Sequence, residues 1–569
     1  MLARRLPSLV LKGRKWGRRA LQSSALDLPH PAFADLEDRL DGLPCFRTRS
    51  EDCVRVLYEP KEFYARLLEK IKSARRRIFI ASLYVGKEET ELVAALHSAL
   101  RQNPQLRLTF LVDYLRSTRE HPLPSSASLL GSLAAAFPQQ VDLRLFHTPS
   151  LAGWQKKWVP KRFNEGWGLQ HMKCYGFDDD VIMSGANLSR DYFTNRQDRY
   201  IEFRSHPPLA DFFDSLLTLV SSYSFRILAR DTSTSHPSIS ITWPSSNPIP
   251  TAPFDTPASI PAYTSHAHDS LLSLLAKWTS LPPTSLSSPL PPFLPTPAST
   301  PPSSAALAAN PILSPSSPYD TTLRPVLQMG PFNLTQETDQ VVPEIFRAAN
   351  ALATAPGGKS TTIDWTSGYF GLREQYKRLV LDSKAQIRIV SASPEANGFF
   401  NSRGVSRFIP PAYTYFSQQF YSEIVDQAER RKREPHVEMR EWRRDGWTYH
   451  AKGIWLTPAL SNRLSSPLDA SPLADANDRD DELVHLHPLP PYLTLIGSSN
   501  YGGRSAQRDL EANVLVTTHS AQLRRELERE LRGIRWFADG LVEPALFERT
   551  ERKVPWGVRV AARAIETML

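Results

Sequence analysis

Cysteine is nearly absent from this chain of 569 residues, which has only Cys45, Cys53 and Cys174. That excludes a disulfide framework and leaves too few thiols for a cysteine-based zinc site. Long apolar runs are missing as well. No stretch reaches the ~18 residues expected of a membrane-crossing helix, so any membrane contact is expected to be peripheral. Acidic residues are missing from residues 1–26, which carry Arg4, Arg5, Lys12, Arg14, Lys15, Arg18 and Arg19. With no long apolar segment this start is a poor secretory signal. It reads as a mitochondrial transit peptide, the alternative being a basic arm that binds phosphates. Glycine is scarce beside proline, 25 against 48, which predicts a disordered segment.

What is present is a globular content, 41% apolar, in a chain too long for one ordinary domain. The net charge of +9 favours acidic partners: phosphate groups, nucleic acid or an anionic membrane. Proline, serine and threonine crowd residues 231–325. Such a stretch buries too little apolar surface to offset its ordering entropy, and a disordered linker is expected. Within it, "SLLSLLAKW" (270–278) has the pattern of a short docking helix. A second polar insertion, 459–489, contains "DANDRDDE" and reads as a surface loop.

On either side of the linker one order of elements recurs. Residues 40–230 hold the strand "RRIFIASLYV", the helix "EETELVAALHSALRQ" and the strands "LRLTFLVDY" and "VDLRLFH". Residues 326–550 hold the strand "TTIDWTSGYF", the helix "REQYKRLVLD", the strand "AQIRIVSAS", a long helix near "FSQQFYSEIVDQAERRKR" and the strand "HVEMREW". The expectation is an internal duplication: two α/β domains, each on a mixed sheet. The tail, 551–569, reads as an amphipathic membrane helix or an ordinary packing helix.

The chemistry lies in a repeated motif. Of 14 histidines, only His171 and His450 have lysine two residues on, at Lys173 and Lys452. In a strand, positions i and i+2 share a face, so each pair would enter one space. The turn Ser184–Gly185–Ala186–Asn187 follows the first pair, and Gly497–Ser498–Ser499–Asn500 the second. Small residues and amide donors suit a phosphate. Each half then offers a carboxylate in a strand, Glu202 and Glu511, of the kind that fixes the tautomer of a working imidazole. If the halves pack about a pseudo-two-fold axis, two imidazoles face each other across an anion site. One would attack phosphorus and the other would protonate the leaving oxygen, while the lysines neutralise the growing charge.

This constellation resembles the phospholipase D superfamily, with its His-x-Lys-x4-Asp motif. His171, Lys173 and Asp178 match it fully. In the second copy Thr457 stands where the aspartate would be, so Asp178 is expected to have a structural or orienting role rather than to react. The stretches "FLVDYLRSTR", "GWGLQHMKCYGFDDDVIMSGANLSRDYFTNRQDRY", "ANGFFNSRGVSRFIPPAYTYF" and "WTYHAKGIWL" are similar to the mitochondrial phosphatidylglycerophosphate synthase family. The resemblance covers about 40–230 and 325–550. It implies two phospholipase D-like domains and, as substrates, CDP-diacylglycerol and sn-glycerol 3-phosphate. The implied products are phosphatidylglycerophosphate and CMP, on the way to phosphatidylglycerol and cardiolipin. It also implies peripheral association with the inner mitochondrial membrane, no cofactor, no metal and no nucleic acid. By the same analogy His171 is the nucleophile and His450 the general acid, then base. A hydrolase of the superfamily, or a non-catalytic lipid-binding relative, are the alternatives.

Other candidates are less specific. "GWQKKWVPKRFNEGWG" interleaves tryptophans with Lys157, Arg162 and other cations, which suits a lipid headgroup boundary or a nucleotide pyrophosphate. Arg116 and Arg119 follow a strand and are candidates for gripping glycerol phosphate. "PGGKST" (356–361) ends like a P-loop but has Ala353 where the first glycine belongs. An ATPase is not supported.

Overall fold

The computed structural model describes residues 31–153, 156, 158, 164–229, 237–279, 318–459 and 490–564. The expected leader (1–26), residues 280–317 of the expected linker, residues 460–489 of the polar loop, and both Lys157 and Arg162 lie outside the described residues.

The duplication is written in the sheets. In the first, Arg77–Ala81, Arg107–Asp113 and Val141–Phe146 run parallel. Antiparallel strands extend that trio beyond Arg77–Ala81 in the order Cys174–Phe177, Asp180–Ser184, Tyr200–Phe203 and Val54–Leu57. In the second sheet the parallel trio is Thr362–Ser367, Gln386–Ala392 and Val437–Trp442. It is extended in the same order by Lys452–Thr457, Leu493–Gly497, Leu510–Thr518 and Thr321–Met329.

Both faces of each sheet are covered, as strands rich in Ile, Leu and Val require. Helices Pro60–Ser73 and Thr90–Gln102 place Phe63, Leu67 and Ile71, and Leu92, Leu96 and Leu100, on the outer face of the first sheet. The spacing of four keeps each set on one side of its helix. The outer face of the second sheet has its own cluster around Phe346, Trp365 and Tyr376. The inner faces share one core, in which Phe79, Met183 and Ile201 join Trp455, Ile496 and Val514. The two halves are therefore packed together by apolar burial as well as by the polar site between them.

Two expectations about boundaries are corrected. First, residues 31–48 do not belong to the first half. Phe46–Thr48 pairs with Thr321–Met329, and helix Pro31–Arg39 buries Phe33 and Leu36 in the second half's outer core. Residues 321–323 of the edge strand Thr321–Met329 are thereby covered. Second, residues 237–279 are ordered, contrary to the disordered linker expected there. Ile239–Thr242 adds a strand to Phe225–Ala229. The helix Ile260–Thr279 sets Tyr263, Ala267, Leu271, Leu275 and Trp278 into the shared core. "SLLSLLAKW" is the C-terminal part of that helix.

Candidate active site

Each histidine lies just before a strand rather than within one. His171 precedes Cys174–Phe177, and His450 precedes Lys452–Thr457. Both approach segments reach across to the other half. The His171 N–H donates to the Leu510 carbonyl at 3.0 Å, and the Leu510 N–H donates back to Leu169 at 2.8 Å. In the mirrored contact, the His450 N–H donates to the Gln197 carbonyl at 2.8 Å. Gly168 permits the first crossing, since a Cβ on its backbone, with φ +135°, would stand 2.1 Å from the Arg508 carbonyl oxygen.

Leu510 and Gln197 each immediately precede a carboxylate, so the backbone contacts set the side-chain pairs. His171 Nδ1–H donates to Glu511, 2.9 Å from Oε1. His450 Nδ1 lies 2.6 Å from Asp198 Oδ2. Each of the two motif histidines is thus oriented by a carboxylate from the opposite half. Pairing within each half, with Glu202 serving His171, does not occur. The Glu202 carboxylate is fully buried elsewhere, held by Arg66 at 2.8 Å and Lys70 at 3.2 Å. The missed residue is Asp198, and a signal for it existed. Asp198 follows Asn187 by eleven residues, as Glu511 follows Asn500 by eleven. The offset identifies the counterpart where residue type misleads.

The lysines converge on the same space. Lys173 Nζ donates to the His171 carbonyl at 2.8 Å. Lys452 Nζ donates to the His450 carbonyl at 2.5 Å and approaches Asp198 Oδ2 at 3.6 Å. Gly185 leaves room here, because a Cβ would meet Asp198 Oδ1 at 2.6 Å and Lys452 Nζ at 2.8 Å. Burial, followed by the Lys173 charge, holds the His171 imidazole well below its usual range. Burial, followed by Lys452 and Arg196, does the same to His450. Burial pushes Lys173 well down, against the pull of Glu511, and brings Lys452 down to about 8. Glu511 and Asp198 are raised by burial, opposed chiefly by Lys173 and Lys452 respectively. The site therefore favours neutral imidazoles: His171 commits Nδ1–H to Glu511 and leaves Nε2 to react, whereas His450 Nδ1 sits between Asp198 Oδ2 and Lys452 Nζ, the latter 2.7 Å away.

The remaining predicted residues divide. Ser498 donates to Glu511 at 2.5 Å and steadies it. Asn187 donates to Tyr192 at 3.1 Å, and the amide oxygens of Asn187 and Asn500 are buried without a partner among the described residues. Asp178 is not at the site. At φ +53° in the turn after Cys174–Phe177, it accepts N–H bonds from Arg75, Arg76 and Arg77 at 2.7–3.0 Å. Of the two expected roles, structural or orienting, the structural one holds: Asp178 ties that turn to the first parallel strand. Arg119 is engaged by Glu165, whereas the Arg116 guanidinium stacks 4.3 Å over Tyr84.

Further groups surround His450. The rings of Tyr192 and Tyr369 stand edge-on to it at 5.0 and 5.4 Å. The Tyr192 hydroxyl is 3.3 Å from His450 Nε2. Arg196 lies 4.6 Å over the Tyr192 ring. His171, Asp509 and Glu511 are grouped closely enough to suggest a metal site. Their oxygens are committed to protein donors, however. Asp509 accepts from the Leu169 N–H and Arg504, both at 2.9 Å. With Lys173 and Arg504 alongside, the set does not suit a cation.

Known proteins resemble the chain in sequence and in fold. No protein-family model matches the chain. A protein of Saccharomyces cerevisiae named CDP-diacylglycerol–glycerol-3-phosphate 3-phosphatidyltransferase is 37% identical over 91% of this chain and 88% of its own length. The Schizosaccharomyces pombe protein of that name is 37% identical over 88% of this chain and 92% of its own. A human protein, with "mitochondrial" added to the name, is 34% identical over 91% and 83%. Among solved structures, phosphatidylserine synthase of Haemophilus influenzae covers 95% of this chain and all of its own, at 19% identity and a TM-score of 0.60. That likeness speaks for the fold.

Proposed function

The chain belongs to the CDP-diacylglycerol–glycerol-3-phosphate 3-phosphatidyltransferase family, and from that premise we propose how its site performs the transfer. The enzyme moves the phosphatidyl group of CDP-diacylglycerol onto sn-glycerol 3-phosphate, giving phosphatidylglycerophosphate and CMP. The observation that carries the mechanism is the crossed pairing of His171 with Glu511 and His450 with Asp198.

His171, neutral at rest, attacks the phosphatidyl phosphorus through Nε2. The P–O bond to CMP breaks, leaving a phosphatidyl-imidazole. Glu511 stabilises the positive charge that His171 acquires. His450 supplies a proton to the departing phosphate oxygen. It then removes one from the glycerol hydroxyl that attacks in the second step, restoring His171. Burial and the charges of Lys452, Arg196 and Lys173 depress His450; the anionic diphosphate offsets those charges, so substrate binding raises its proton affinity. Lys173 and Lys452 stabilise the non-bridging oxygens, and Arg196 beside His450 receives the acceptor's phosphate. The vertebrate relatives are named mitochondrial, which supports a mitochondrial enzyme. No helix among the described residues is long and apolar enough to cross a membrane, and a lipid substrate supports peripheral contact with the inner membrane.

The test uses purified protein, labelled glycerol 3-phosphate and CDP-diacylglycerol. Label entering lipid is expected. CMP release without lipid labelling would instead make the protein a hydrolase. Labelled phosphatidyl group trapped on the protein, and lost in His171→Ala, is the signature of the covalent step.

A further inference from the structure

We propose that the loop 398–408 and the helix Trp556–Ala564 form the face that docks on an anionic lipid bilayer and delivers the lipid substrate to the His450 side of the site. This rests on the peripheral-membrane reading above and adds the surface. Large apolar side chains are exposed in both segments: Phe400, Val405 and Phe408 in the loop, Trp556 and Val560 on the helix, where a spacing of four puts the last two on one stripe. The opposite stripe, Val558 and Ala562, packs with Ala412 and Tyr415 of the helix Ile409–Arg431, which the loop directly precedes. Arg552 fixes the arrangement by bridging Glu441 at 2.9 Å and Glu395 at 3.4 Å. The two exposed segments therefore rest on one helix.

The charge matches the proposed partner. Residues 396–422 contain no Asp or Glu, nor do 552–564. Arg403, Arg407, Lys553 and Arg559 are exposed among the apolar groups. Apolar side chains ringed by cations are what an interfacial element on anionic lipid requires. The loop's inner edge also leads to the chemistry. A Cβ on Gly398 would stand 3.0 Å from the Tyr369 hydroxyl and 3.1 Å from Arg196. Phe399 contacts the Tyr369 ring at 5.9 Å, and that ring contacts His450 at 5.4 Å. Bilayer and reacting phosphorus are thus separated by one loop, which suits a bond that breaks at headgroup depth.

The test combines flotation with two forms of substrate. Wild-type protein and a variant carrying Phe400→Ser, Phe408→Ser, Trp556→Ser and Val560→Ser are mixed with vesicles of phosphatidylcholine and phosphatidylglycerol. Wild type is expected to float, and the variant to lose at least about tenfold in vesicle partitioning, since each buried side chain contributes on that scale. Transfer from vesicle-embedded CDP-diacylglycerol should fall in parallel, while transfer from a short-chain, monomeric CDP-diacylglycerol stays at the wild-type rate. A variant that floats normally, or that loses both activities alike, overturns the surface. So does a change in oligomeric state without a change in flotation, which would make the face a contact between copies. Wild type that never floats overturns the peripheral reading itself.

Discussion

The Nδ1 of His171 and the Oε1 of Glu511 lie 2.9 Å apart although 340 residues separate them along the chain. The mirrored pair, His450 and Asp198, joins the halves in the opposite sense. Charge removal at these carboxylates should be far more damaging than at Glu202. Glu511→Gln and Asp198→Asn are expected to lower kcat by about 10²–10⁴-fold, the range for disabling an oriented acid–base group. Glu202→Gln should leave kcat near wild type and weaken folding by about 1–3 kcal/mol, because Arg66 and Lys70 lose a charged partner. Steady-state rates and denaturant melts on the three variants decide it. Equal kcat losses for Glu202→Gln and Glu511→Gln would contradict the crossed pairing.

The pH profile should carry the mark of Lys452, which burial brings down to about 8. Its charged form dominates below that value and disappears above it. The profile of kcat/KM, which reports the free enzyme, should therefore steepen its fall as pH rises through about 8, beyond the decline that the depressed His450, needed as an acid, already sets. The acid limb, set by neutral His171, should lie below the ordinary imidazole range because that group is depressed. Lys452→Met should cut turnover by at least ~10²-fold. A plateau in kcat/KM extending well beyond pH 9 would show that this lysine need not be charged.

Arg196 sits over Tyr192, and its charge depresses His450. Arg196→Gln is expected to raise KM for glycerol 3-phosphate by about tenfold or more, the scale of a lost charge-assisted hydrogen bond. KM for CDP-diacylglycerol should change much less. Initial rates with each substrate varied in turn provide the comparison, and a rise confined to the lipid would reassign this arginine.

Arg199, next to the catalytic-side carboxylate, is a bolt between the halves. Its side chain is fully buried, pairs with Glu530 at 2.8 Å, donates to the Leu495 carbonyl at 2.9 Å, and lies 3.8 Å over Trp455. Arg199→Ala should destabilise by about 3–5 kcal/mol, because Glu530 stays buried without its partner. Chemical denaturation would report this, and a loss under about 1 kcal/mol would mean that water satisfies Glu530.

The helix Ile260–Thr279 should behave as core. Tyr263→Ala, which empties a fully buried position, is expected to cost about 3–5 kcal/mol. Deleting 237–279 should abolish soluble protein. Recovery of an active, soluble deletion would return the segment to the status of a linker.

Where the sequence was legible, repetition made it so. Two His-x-Lys pairs, two Asn-bearing turns and two runs of alternating strands and helices are local patterns that survive divergence. Asp198 was hidden because the carboxylate differs in type between the halves, and Glu202, four residues on, drew attention to the wrong side chain. The helix Ile260–Thr279 was masked by averaging its apolar spacing with the proline- and serine-rich residues around it. The pairing of Phe46–Thr48 with Thr321–Met329 leaves no local trace, because a three-residue edge strand is chosen by the edge it covers. The crossed histidine–carboxylate bonds are likewise tertiary: spacing can nominate the carboxylates, but only packing says whose histidine each one serves.

The exchange of carboxylates makes catalysis a joint property. Neither half owns a complete acid–base pair, so a rotation of one against the other by a fraction of a hydrogen-bond length would silence both histidines together, with each fold intact. Activity is then a more sensitive gauge of how the halves are seated than any melt. Two separately expressed halves, each inert, would be expected to regain turnover only on reassociation.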